Sequence, residues 1–154
     1  MQKHAASFGI GFVAGLRSMT ACAALSWAAS RGRTRTEWIQ AGPLPRGLTT
    51  AAALAEMVGD KMPFAPDRRI PPSFAARIAI GAVGGAALAG RDASPAIGAL
   101  VGMAGALAGT LVGRAARGST TRSGFDLARG LTEDVVAAGL ATALVSSAEY
   151  RSQE

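Results

Sequence analysis

Arg17 lies near the middle of a stretch, residues 5–29, that otherwise carries no formal charge. An apolar run of about 18 or more residues is typical of a membrane-spanning helix. A guanidinium is costly to bury inside such a run, and it usually faces the interior of a helix bundle or a wet cavity. The sequence therefore predicts a small integral membrane protein with a buried polar centre around Arg17.

The composition favours closely packed helices. Hydrophobic residues make up 49% of the 154 positions, aromatic residues only 5%, and alanine and glycine are abundant. A soluble core needs larger side chains, whereas small residues let helices approach each other in lipid. The alternative is an Ala-rich soluble helical bundle. A net charge of +6 fits positive loops beside spans better than nucleic-acid binding, because the basic residues have little aromatic interleaving.

Apolar segments alternate with connectors rich in proline and arginine, and none of the segments alternates like a strand. They cover residues 5–29, 48–59, 73–90, 95–113 and 131–148. The sequence predicts one all-α membrane domain over residues 1–154, with Gly/Ala-mediated packing. It predicts about four transmembrane helices plus a short re-entrant or interfacial helix at residues 48–59, which is too short to cross a core of about 30 Å.

The second segment also decides the predicted topology. If it dips in and returns, the basic loops 30–47 and 114–130 share one side, and only Lys3, Arg91 and Arg151 lie opposite. Loops rich in Lys and Arg are cytoplasmic. This predicts a multi-pass protein of a bacterial inner (plasma) membrane, with both termini outside the cytoplasm. If the segment spans, the basic residues divide almost evenly, and dual orientation stays open.

The first candidate site surrounds Arg17. Gly15, Ser18 and Thr20 weaken the helix there and supply hydroxyl groups. Two half-helices around an unwound centre would direct N–H groups and carbonyls at an ion or substrate near the membrane midplane. The planar fork of Arg17 suits an anion or a phosphate. Alternatively, Arg17 forms a salt bridge that only fixes packing.

The second candidate site is a pair of carboxylates, Glu56 and Asp60, which are four residues apart and share a helix face. They would bind a cation, relay protons or neutralise Arg17 or Arg77, unless they are solvated charges of a surface helix. Supporting roles are open to Lys61, Arg77 and Glu133. For Arg77 an outward reach to the interface is the preferred expectation. Glu133 and Asp134 are expected to be charges at the N-terminus of the last helix, with Glu133 the better site candidate.

A stripe of glycines in the fourth segment predicts close helix contacts in preference to a pore, and the stripe could also face a second subunit. Its members are Gly98, Gly102, Gly105, Gly109 and Gly113. No Cys/His metal spacing, nucleophile elbow or phosphate loop is present in the sequence, so no metal, cofactor or catalytic residue is predicted. An enzyme is not favoured.

Two motifs resemble a family of small bacterial membrane proteins of unknown function. The first is Gly-Leu-Arg-Ser-Met-Thr at residues 15–20, and the second is Glu-x-x-x-Asp-Lys-x-Pro at residues 56–63. The stretches around residues 71–77 and 98–113 are also similar to the family, whereas Ala21 and Cys22 stand where a proline is expected. The resemblance implies a membrane domain and no particular activity.

These observations together predict a small channel or transporter for an ion or small solute. Four spans enclose little space, so a homo-oligomer is expected, a dimer or larger. One alternative is a structural membrane protein that holds anionic lipid head groups with its loop arginines. The other is a flippase or enzyme that acts on a phosphorylated lipid.

Overall fold

The computed structural model describes residues 4–35, 39–59, 71–90, 93–117 and 125–150. Within these ranges the chain forms α-helices and no strands, which confirms the predicted all-α class. The helices are α1 (Ala5–Leu16), α2 (Ser18–Ser30), α3 (Pro43–Gly59), α4 (Pro71–Ala87), α5 (Pro95–Arg117) and α6 (Phe125–Tyr150).

After the first segment, the helix boundaries follow the predicted segments, and two helices begin earlier than predicted by five or more residues. α5 begins at Pro95 as predicted, because proline at a first helical position lacks only an N–H that has no intrahelical acceptor. α3 begins at Pro43, before the predicted residue 48, and reaches 17 residues. α6 begins at Phe125, before the predicted residue 131. Asp134 therefore lies inside a helix and not in its first turn.

The chain reverses direction at Arg17. A Cβ placed on Gly84 of α4 would lie 3.1 Å from a side-chain carbon of Ile10 and also 3.1 Å from one of Leu25. In one continuous helix, Ile10 and Leu25 would be about 22 Å apart along the axis. α1 and α2 therefore form an antiparallel helical hairpin with Arg17 at its turn. The single span predicted for residues 5–29 is wrong, although a break at Arg17 was foreseen.

The later helices continue this up-and-down course. α3 runs antiparallel to α2, since Trp27 Nε1–H donates to Thr50 Oγ1 at 3.3 Å and Met19 N–H donates to Glu56 Oε2 at 3.0 Å. α4 runs antiparallel to α1, since Ser7 Oγ–H donates to the carbonyl of Gly85 at 2.8 Å. We call the end of the bundle at Arg17 the tip, and the end at residues 31–35 the base.

At the base, the connector after α2 contacts the chain between α4 and α5 through Arg35. The Arg35 backbone N–H donates to the carbonyl of Ala87 at 2.9 Å, and its guanidinium donates to the carbonyl of Ala93 at 2.5 Å, just before α5. α5 then runs from the base to the tip and beyond, and Arg114 lies near its far end. The connectors 30–47 and 114–130 were predicted to share one side. The residues described in them lie at opposite ends of the bundle. The side of a membrane on which each connector lies stays a prediction.

Glycines set the distance between α1, α4 and α5. A Cβ on Gly98 would lie 2.6 Å from the carbonyl oxygen of Gly85, and one on Gly81 would lie 2.7 Å from Ala106 Cβ. On the other face of α5, Gly105 and Gly109 meet the backbone of Phe8 and Phe12. These contacts confirm the predicted close packing through small residues, in which backbones approach each other directly.

Charge lies inside this bundle and large apolar side chains lie outside. Arg17 is the largest fully buried side chain, at 2% exposure, and Arg77 and Asp134 are also buried. The hydrophobic core consists mostly of alanines with Ile10, Val13 and Leu25. Exposed large apolar side chains occur on every helix, among them Phe8, Leu44, Phe74, Leu111 and Val135.

One helix in the described ranges, Pro95–Ala115 within α5, has the length and hydropathy needed to cross a membrane, and 33% of its most apolar window is buried. A single helix of this kind also occurs in soluble cores. Shorter apolar helices cover Ala5–Leu16, Ser73–Ala87 and Asp134–Ser146.

Candidate functional site

The backbone at Arg17 is extended, with φ −144° and ψ 105°. Its N–H donates to the carbonyl of Val13 at 2.7 Å, and its carbonyl accepts from the N–H of Ala21 at 3.2 Å. One residue thus ends α1 and begins α2. The last carbonyls of α1 and the first N–H groups of α2 lack helical partners by geometry, so other groups have to supply them.

The carbonyl end of α1 receives donors from α4 and α5. Arg77 donates through Nη1 to the carbonyl of Gly15 and, at 3.3 Å, to that of Leu16. Thr110 Oγ1 donates to the same Gly15 carbonyl at 3.4 Å. A guanidinium suits this position because the C-terminus of a helix carries partial negative charge. Arg77 was expected to reach outward, but its side chain is buried and caps α1.

The N–H end of α2 receives an acceptor from α3. Glu56 Oε2 accepts a hydrogen bond from the backbone N–H of Met19 at 3.0 Å. A carboxylate suits this position, because the N-terminus of a helix carries partial positive charge. The two helix ends at the turn are therefore each matched by a side chain of opposite charge from another helix.

Arg17 itself forms an ion pair with α6. Its Nη2 lies 2.5 Å from Oδ1 of Asp134, and both side chains are at least nine-tenths buried. A buried charge needs a partner of opposite sign, since leaving water is expensive. The carboxylate that meets Arg17 was predicted to come from the short helix with Glu56. The structure brings it from α6, and Glu56 binds the backbone of α2.

Two hydroxyl residues follow Arg17 in the first turn of α2. Ser18 is half-buried. Thr20 is 5% exposed, and its Oγ1 has no hydrogen-bond partner among the residues described. Gly15 completes the turn on the α1 side, where a Cβ would lie 2.7 Å from the backbone nitrogen of Thr110. Only glycine permits this close approach of α1 to α5.

The structure therefore gathers most of the predicted site residues at the tip: Gly15, Arg17, Ser18, Thr20, Glu56 and Arg77. Asp60 and Lys61 lie outside the described residues. Glu133 lies in α6, and its side chain is also outside the described part of the structure. Its neighbour Asp134 takes the site position that was favoured for Glu133.

Sequence reasoning missed Asp134 and Thr110. Asp134 shares one face of α6 with Ala137 and Ala141, all of them buried, and this spacing of small residues was a usable signal. Thr110 follows Gly102 and Ala106 at intervals of four on α5. It is the one hydroxyl on that stripe of small residues.

The described residues contain no group of three His, Cys, Asp or Glu side chains placed to hold a metal ion. The site therefore consists of guanidinium groups, carboxylates, a hydroxyl and helix ends. Comparison of the chain with protein-family models, curated proteins and solved structures gave no match.

Proposed function

We propose that this chain is an integral membrane protein of the bacterial plasma membrane that carries or conducts an ion or small solute past the turn at Arg17. The main support is the distribution of polarity. A guanidinium is the largest fully buried side chain, while leucines and valines cover the surface. A soluble fold would gain free energy from burying those apolar groups and solvating that charge. In lipid the opposite arrangement is favourable, with apolar side chains on the surface and the charge enclosed.

α3 supports the same proposal, because its apolar face points away from the protein. Leu44, Leu48, Leu54 and Val58 are each more than half exposed. The opposite face carries Thr50 and Glu56, which bond to α2. In water this orientation would be unfavourable, because the polar face is inside and the apolar face outside.

The helix lengths suggest how the bundle sits in a membrane. α1 and α2 contain 12 and 13 residues, which gives arms of about 18–20 Å, too short for a core of about 30 Å. We propose that this hairpin is the re-entrant element and that α3 to α6 are the four crossing helices. The predicted number of spans is kept, but the re-entrant role moves from the second segment to the first.

The turn gives such a protein a polar site inside the membrane. Helix ends at bilayer depth are tolerated where they line a cavity or are enclosed by protein, and transporters use them to bind ions and substrates. Four side chains from α3, α4, α5 and α6 meet this turn: Glu56, Arg77, Thr110 and Asp134. Each of the four helices α3 to α6 therefore contributes a side chain that contacts the turn.

Flux through reconstituted protein tests the proposal. The chain should stay in the membrane fraction after alkaline carbonate washing, and proteoliposomes should pass at least one of acetate, chloride or potassium. Arg17→Lys keeps the charge but loses the planar fork. We expect flux to fall about tenfold, the change that corresponds to the free energy of one charge-assisted hydrogen bond. Arg31→Lys, on the exposed surface, is the matched control and should keep the wild-type rate. Equal rates in both variants would place the site elsewhere.

A homo-oligomer belongs to the same proposal, because one chain buries its own glycine stripe and leaves apolar faces on α3, α5 and α6. Native mass spectrometry in detergent gives the number of copies.

A second candidate function, binding of anionic lipid head groups, has its own observation at the base. The Trp27 ring has the Arg46 guanidinium 5.0 Å and the Arg31 guanidinium 5.9 Å from its centroid. Tryptophan and arginine at a helix end are typical of the membrane–water interface. If this is the main role, Arg31→Gln with Arg46→Gln should remove co-purified anionic lipid and activity together, and Arg17→Lys should affect neither.

A further inference from the structure

We propose that Arg31 and Arg46, whose guanidinium groups both lie near the Trp27 ring at the base, bind one phosphate group of an anionic phospholipid between them. The site joins the end of α2 to the start of α3 and is separate from the turn at Arg17. The inference rests on the membrane location in the proposed function. It gives the second candidate function a defined ligand site, without requiring that lipid binding is the main role.

The Trp27 ring brings the two guanidinium groups together. Its Nε1–H donates to Thr50 Oγ1 at 3.3 Å, so the ring belongs to α2 and is also held by α3. The guanidinium carbon of Arg46 lies 5.0 Å and that of Arg31 lies 5.9 Å from the ring centroid. These distances are typical of cation–π contacts, which do not use the N–H donors of the guanidinium groups as hydrogen bonds to a lone pair. The donors therefore stay available for an acceptor.

The described part of the chain contains no acceptor for these donors. The guanidinium of Arg35 donates to the carbonyl of Ala93, whereas those of Arg31 and Arg46 have no hydrogen bond or ion pair with the described residues. Nε of Arg46 is also shielded from solvent, and a shielded donor without an acceptor is unfavourable. A phosphate group accepts paired hydrogen bonds from planar guanidinium groups. Rotation of the Arg46 side chain toward such a group would satisfy this donor.

The apolar surroundings favour a lipid as the source of the phosphate. Trp27 is 40% exposed, and on the first turns of α3 Leu44 is 70% and Leu48 is 62% exposed. Acyl chains that continue from a phosphate at the base would lie beside these side chains and bury apolar surface, which a free phosphate ion cannot do. Tryptophan and arginine together are typical of the depth at which anionic head groups lie.

The test uses the full chain in micelles of a neutral detergent, with phosphatidylglycerol as the probe and native mass spectrometry as the measure of binding. Arg46→Gln and Arg31→Gln should each weaken binding about tenfold, as expected for the loss of one charge-assisted hydrogen bond. Arg46→Lys keeps the charge and loses the fork, so it should also bind more weakly than the wild type. Arg114→Gln is the matched control. It removes the same charge from an exposed position near the far end of α5, and it should leave binding unchanged.

Thermal unfolding separates a binding role from packing on the ring. Phosphatidylglycerol should raise the Tm of the wild type and raise that of Arg46→Gln less, because a ligand stabilises the folded state that binds it. A lower Tm of Arg46→Gln without lipid, together with unchanged lipid affinity, would mean that Arg46 only packs on Trp27 and would overturn the inference.

Two further results would also overturn the inference. Wild-type affinity in Arg46→Lys, or an equal loss in Arg114→Gln, would mean diffuse attraction to positive charge. Binding of sodium phosphate as tight as that of the lipid, measured against sodium chloride at equal ionic strength, would mean that the site takes the free ion. Arg17-dependent flux without lipid binding would overturn this inference and keep the proposed function. A chain absent from the carbonate-washed membrane would overturn the proposed function, while binding in micelles decides the phosphate site separately.

Discussion

At the residue scale, Arg17 combines one contact far away in the sequence with contacts to its near neighbours. Its guanidinium pairs with Asp134, and its backbone both ends α1 and begins α2. The carboxylate of Asp134 offsets part of the cost of burying this charge, because a paired buried charge is far more favourable than an unpaired one. The low exposure of both side chains makes the pair a determinant of stability.

Asp134→Asn should therefore destabilise the protein strongly. We expect a loss of about 3–5 kcal/mol in the free energy of unfolding, since the buried Arg17 keeps its charge and loses the carboxylate that lies 2.5 Å from its Nη2. Denaturant unfolding in detergent measures this change. The double variant Arg17→Met with Asp134→Leu should recover part of the loss, because apolar groups replace both charges. A double variant as unstable as the sum of its single variants would contradict this coupling.

Arg17, Glu56 and Thr20 were predictable as site residues from the sequence alone. Arg17 is a charge within an apolar run, and all three residues belong to the two motifs at residues 15–20 and 56–63. The sequence did not reveal which carboxylate meets Arg17. Glu133 and Asp134 are adjacent in the sequence, and a difference of about 100° around the helix decides which one faces the bundle. That angle depends on where α6 begins and how it packs.

At the element scale, the hairpin of α1 and α2 depends on small residues that let three helices meet. Gly102 of α5 contacts α1 and α4 at once: a Cβ on Gly102 would lie 2.9 Å from Gly85 Cα of α4, and a Cβ on Gly11 of α1 would overlap the carbonyl of Gly102. Such contacts are between backbones, so neither side can yield by a rotamer change. The glycine stripe is therefore required for the packing of these helices.

Gly102→Ala should lower the free energy of unfolding by about 1–3 kcal/mol, the usual cost of overpacking. Gly139 of α6 is the control, because a Cβ there would meet nothing within 4 Å. Gly139→Ala should raise stability by about 0.5–1 kcal/mol through its helix preference. Thermal unfolding of both variants in the same detergent gives the comparison, and equal effects would mean that the stripe does not set the packing.

At the scale of the whole molecule, the up-and-down course puts Arg31 at the base and Arg114 near the opposite end of α5. The charge count had favoured one side for both connectors. That count treated residues 5–29 as a crossing segment, whereas a hairpin returns the chain to the end of the bundle from which it came.

Cysteine labelling tests this arrangement. Cys22 is the single cysteine of the chain, so Cys22→Ala gives a clean background for Arg31→Cys and Arg114→Cys. In sealed vesicles of one orientation, an impermeant maleimide should label one position, and detergent should then expose the other. Labelling of both positions from the same side would contradict the fold. Half-labelling of both would show that the protein inserts in two orientations, which a near-even division of basic residues permits.

The helices and their small-residue contacts were predictable from local sequence, because helix propensity, proline positions and apolar runs act locally. The burial of Arg17 was also predictable from the sequence, because apolar residues flank it on both sides. The reversal at Arg17, the ion pair with Asp134 and the inward turn of Arg77 became visible only in the folded chain. Each of these depends on the direction and rotation of a whole helix, which long-range packing fixes and the local sequence does not.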